Sequence, residues 1–65
     1  MKKSDLKELI VRAKKIHSTL SEEDSSFALL GDYIKDAEDV LSDIKGKLSP
    51  NQEEVYRKLE VAVGP

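Results

Sequence analysis

Apolar residues recur at helical intervals in three stretches of this chain, separated by polar joints. In the first, Leu6, Leu9, Ile10, Ala13, Ile16 and Leu20 return to one side behind Ser4, a candidate N-cap. The spacing predicts an amphipathic helix over about 5–19 with Lys7, Lys14 and Lys15 on its wet side. In the second, Phe27, Leu30, Ile34, Ala37, Leu41, Ile44 and Leu48 are separated alternately by three and four positions, and Tyr33 and Val40 widen one flank. This is a heptad seam. It predicts one helix over about 25–47, roughly 33 Å long at 1.5 Å per residue. Gly31 costs about 1 kcal/mol relative to Ala inside a helix, but the seam crosses it without a phase change, which predicts continuity rather than a break and restart.

The third stretch opens at Ser49-Pro50-Asn51-Gln52, with Ser as N-cap, Pro at the first helical position and Gln completing a capping box. A helix over about 50–62 then turns Val55, Tyr56, Leu59, Ala62 and Val63 to one side before Gly64-Pro65 ends it. Short joints between three amphipathic helices imply one all-α domain over 1–65. It is either a three-helix bundle or a long antiparallel hairpin with a short third helix laid across it. As read, the middle helix outreaches its neighbours by roughly 10 Å. A chain of this size buries only about 60% of its unfolded surface, so the overhanging seam calls for a partner. The expectation is a dimer or a complex with another protein, made through Leu30, Tyr33, Ala37, Val40, Leu41 and Ile44.

Charge is distributed unevenly, although the 65 residues sum to only −2. Residues 1–17 hold six cations against two acids, and residues 21–45 hold eight acids against two cations. Asp32, Asp36, Asp39 and Asp43 fall at spacings of four, three and four on the side opposite the seam. Such a row is ordinarily a solvated face. Functionally it would dock a basic partner, or imitate a nucleic-acid backbone and so inhibit a basic protein. Lys7, Arg12, Lys14 and Lys15 form the matching basic face, suited to phosphates, yet no aromatic residue is interleaved among them. The simpler expectation is that opposite charges align the first two helices.

Candidate chemistry is sparse. There is no cysteine, and His17, the single histidine, lies on the flank of the first apolar stripe with no Glu three residues before it. Three scattered glycines make no phosphate-binding loop. The composition therefore predicts no enzyme, metal, cofactor or small-molecule substrate. No apolar run approaches the ~20 residues of a membrane helix, and polar Ser4, Asp5, Lys7 and Glu8 follow Met1-Lys2-Lys3 where a signal peptide would be apolar. A cytoplasmic location away from membranes is expected. The leading expectation is a non-catalytic interaction module, regulatory or adaptor in kind, that self-associates or binds a protein through its middle helix. The alternatives are a nucleic-acid-associated protein using the basic helix and an acidic nucleic-acid mimic.

Overall fold

The computed structural model describes residues 2–64. Met1 and Pro65 lie outside the described residues, and with them the part assigned to Pro65 in ending the last helix. Three helices form, α1 (Lys3–Thr19), α2 (Ser25–Asp43) and α3 (Pro50–Val63), and every pair of them is in contact. The core joins Leu6, Leu9, Ile10 and Ala13 of α1 to Leu30, Ile34 and Ala37 of α2 and Leu59 of α3, and Ile44 and Leu48 of the α2–α3 connector complete it. The radius of gyration is 11.4 Å, close to the ~10.7 Å of a compact chain of this length. One chain thus closes its own core.

Each helix starts where a local group can satisfy its first free N–H groups. The Asp24 side chain accepts from the Ser26 N–H at 2.8 Å and caps α2. Ser49 and Gln52 form the reciprocal box of α3: the Ser49 hydroxyl accepts from the Gln52 N–H at 3.4 Å, and the Gln52 side-chain oxygen accepts from the Ser49 N–H at 2.8 Å. At α1 the expectation needs correcting. Ser4 is not the cap but a residue of the first turn, because the helix begins at Lys3 with Lys2 as N-cap. The Lys3 N–H donates to the Gly46 carbonyl at 2.9 Å, and Lys2 and Lys47 form an isolated antiparallel bridge. The α2–α3 connector and the Asp5 carboxylate, which accepts from the Lys2 N–H at 3.3 Å, together fix where α1 starts.

The middle helix also differs from its expected extent. It runs unbroken through Gly31 but stops at Asp43, with Ile44 as an extended C-cap. Its 19 residues compare with 17 in α1 and 14 in α3, differences of about 3 and 7.5 Å at 1.5 Å per residue, so the expected overhang is lost against α1 and reduced against α3. Gly46, at φ 145°, sits in a backbone region that L side chains rarely adopt and turns the connector back toward α1. Ile44 and Leu48 are buried all the same. Ile44 reaches the core as the extended C-cap of α2, and Leu48 reaches it after the chain has bent at Lys45 and Gly46. Both seam positions are therefore buried although the helix that was expected to carry them ends at Asp43.

Gly31 itself answers to a neighbour. A Cβ at this position would stand 3.2 Å from Nε2 of His17. The His17 ring stacks on Phe27 at a centroid separation of 4.1 Å and 22° between planes, and its Nε2 lies 3.0 Å from the Phe27 carbonyl oxygen. That carbonyl can only accept, so Nε2 carries the proton and donates. The last turn of α1 is thereby fastened to the first turn of α2 across the joint, and the missing side chain at Gly31 leaves room for the fastening.

Candidate protein-docking face

The six residues expected to meet a partner fall into two groups. Leu30, Ala37 and Ile44 are core, at 3%, 0% and 6% exposure, because α1, α3 and the connector cover the seam from within the chain. Within the single chain these three face its own helices rather than solvent. Tyr33, Val40 and Leu41 are half-buried and pack against the core. Of these, Tyr33 reaches the surface groove where α2 meets α3, and Leu41 the groove between α1 and α2.

What the fold leaves uncovered lies elsewhere. Leu29 is 52% exposed and Val61 80%. Together with Tyr33 and Ala62 they line the α2–α3 groove, whose α3 side carries Glu54, Arg57 and Lys58. Leu29 precedes Tyr33 by four positions, and Arg57 precedes Val61 by four, so each pair lies on one side of its helix. Neither Leu29 nor Val61 belongs to the apolar stripe that closes the core, so periodicity reads them as stray apolar residues on polar faces. Only the approach of two helices far apart in sequence makes them one surface. Among the described residues Val11, at 58% exposure, is the other large exposed apolar residue; it stands beside Lys7, Glu8 and Arg12 of its own helix and borders the α1–α2 groove with Ile10 and Leu41.

The charged rows are placed on solvent. Asp32, Asp36, Asp39 and Asp43 are all exposed, and among the described residues none of them enters an ion pair. Like charges four apart on a helix cost it about 0.2–0.5 kcal/mol per pair, so the row is retained against a small penalty. Asp36 follows Leu29 by seven positions and Tyr33 by three, which puts it on their side of α2. Lys7, Arg12, Lys14 and Lys15 are likewise exposed. Lys14 meets Glu38 of α2 at 3.2 Å, a surface pair worth about 0–1 kcal/mol. Lys7, Val11 and Lys14 border Glu38 and Ser42 along the α1–α2 groove. The bridge between Lys2 and Lys47 adds a grouping that sequence distance concealed, since paired residues of an antiparallel bridge stand on the same side.

Among the titratable groups, Tyr56 is perturbed. Its phenol is raised from 10.0, mainly by burial, then by the negative charges of Glu60, Asp5 and Glu8, with Arg12 opposing. No described helix is long and apolar enough to cross a membrane. Among the described residues no three His, Cys, Asp or Glu side chains are grouped to hold a metal ion. The arrangement that remains is an apolar strip framed by charged side chains, of which Glu54 and Lys58 stand 4.0 Å apart. Comparison with protein-family models, with curated proteins and with solved structures finds no match to this chain.

Proposed function

We propose that this chain is a non-catalytic protein-binding module, a regulator or adaptor, and that it docks through the strip where α2 and α3 meet. One observation carries this: Leu29 and Val61 stay open to solvent beside Tyr33 while the core is complete without them. Isolated exposed apolar residues need no explanation, but an apolar strip with a polar rim, assembled from two helices, is the usual form of a binding surface. Surface area points the same way. The chain exposes 4714 Å², against about 4,200 Å² for an average folded monomer of its mass.

An antiparallel α1–α2 hairpin is part of the proposal, supported by the pairs His17 with Phe27 and Lys14 with Glu38, in which later residues of α1 meet earlier ones of α2. A nucleic-acid role for Lys7, Arg12, Lys14 and Lys15, or mimicry by the aspartate row, has less support. Lys14 already meets a carboxylate of the neighbouring helix, and Lys7 borders α2 beside it while Arg12 faces α3 near Glu60. The module reading is tested by placing a photoactivatable side chain at Val61, and at exposed Ser18 of α1 as control, in the chain expressed in its native cell. Discrete protein adducts at position 61 and none at 18 are expected. The absence of adducts at position 61 overturns the proposal.

A further inference from the structure

We infer that the occupant of the α2–α3 strip is a second copy of this chain, related to the first by a twofold axis that sets α2 of each copy against α3 of the other. This rests on the docking face proposed above and names its partner. The strip has two edges of opposite sign. On the α2 edge, Asp32 and Asp36 share the side of Leu29; on the α3 edge, Arg57 and Lys58 line the groove with Glu54, Val61 and Ala62, so that edge carries two cations against one acid. A strongly basic or strongly acidic partner would be attracted by one edge and repelled by the other. A copy turned by 180° presents the basic edge to the acidic one at both ends, which is the self-complementarity that an isologous interface requires.

The charges are free for that use. Among the described residues Asp32, Asp36 and Arg57 enter no ion pair, and Lys58 has only a 4.0 Å contact with Glu54 on its own helix. The apolar centre can pair in the same way, since Leu29 and Tyr33 of one copy, one helical turn apart, would lie against Val61 and Ala62 of the other. The face is small. The residues named number nine per copy, well under the ~20–30 per side of a standard interface, so pairing is weak and reversible.

Sedimentation equilibrium of the purified chain up to about 1 mM tests this, with thermal unfolding at each concentration to show that every variant folds. A monomer–dimer equilibrium is expected. Val61→Asp should raise the dissociation constant at least tenfold, while Val11→Asp leaves it unchanged. Asp36→Lys and Arg57→Glu should each weaken pairing about three- to tenfold, and the two together should restore it, because the exchanged charges meet again across the axis. A strict monomer at every concentration overturns self-pairing and leaves the docking face to the cellular cross-link, where adducts at position 61 would then be to other proteins. A dimer indifferent to Val61→Asp overturns both the self-pairing and the face. A dimer lost in both charge variants but not recovered in their combination overturns the proposed register.

Discussion

Replacing Gly31 with Ala should stabilise this protein only when His17 is absent. In an ordinary helix interior the change gains about 1 kcal/mol through propensity. Here the new Cβ would stand 3.2 Å from His17 Nε2, inside ordinary van der Waals contact. The ring cannot retreat without cost, since it is held on the Phe27 carbonyl at 3.0 Å and on the Phe27 ring at 4.1 Å. Losing that hydrogen bond costs about 1 kcal/mol, and losing the stack about 0.5–1.5 kcal/mol. The two sides nearly cancel, so Gly31→Ala alone should be neutral or destabilising by up to about 1.5 kcal/mol. In a His17→Ala background the clash has no partner, and the full gain of about 1 kcal/mol should return. The assay is urea unfolding of the four members of the cycle, followed by circular dichroism. The expected coupling is about 1–2.5 kcal/mol. Equal stabilisation by Gly31→Ala in both backgrounds would refute the idea that His17 is the reason for glycine at this position.

Leu59 and Val61 are two positions apart on α3 and should respond in opposite ways. Leu59→Ala empties a fully buried site and should cost about 2–5 kcal/mol, whereas Val61→Ala at low concentration should change chemical stability by less than ~0.5 kcal/mol; comparable losses at both would show that the core boundary is misplaced. Lys47→Glu replaces like charges across the Lys2 bridge with opposite ones and should gain a few tenths of a kcal/mol, an advantage that disappears in high salt; an equal gain at all salt concentrations would count against the electrostatic origin. Tyr56 sets an alkaline limit. Its folded pKa is raised above 10.0, so the folded state resists ionisation, and the stability this represents is present below pH ~10 and lost as pH rises through the folded value. Tyr56→Phe should therefore flatten the upper end of the stability profile relative to the parent chain, and parallel profiles would refute the assignment.

The three helices are legible in the sequence because each carries its own apolar period and, for α3, its own cap. The bundle's length relations are not, and the reason lies in Ile44 and Leu48. Their spacing continues the helical period, but the helix ends at Asp43 and Leu48 returns to the core through the positive φ of Gly46 and the pairing of Lys3 with Gly46. Neither is a local pattern. The docking face was obscured for a related reason. Leu30, Ala37 and Ile44 carry the strongest helical period, which is the signature of a core and says nothing about which core residues stay uncovered. Leu29 and Val61 carry no period at all, and become a surface only through the packing of α2 on α3. The aspartate row was readable as exposed from periodicity alone, while the free edge it shares with Leu29 required the tertiary arrangement. His17 looked like a boundary residue. Its contact with Phe27 spans only ten positions, but nothing in residue spacing marks a ring held against a carbonyl.

Two features can be followed together in solution: the core closed within one chain and the proposed pairing of the apolar strip outside it on concentration. Methyl-resolved NMR with a dissolved paramagnetic probe measures both at once. In dilute solution Leu29 and Val61 should broaden strongly while Leu30, Ile34 and Leu59 stay sharp; on concentration Leu29 and Val61 should become protected and Val11 should not. Broadening of Leu30 or Ile34 in the dilute sample, or Leu29 and Val61 indifferent to concentration, would contradict this picture.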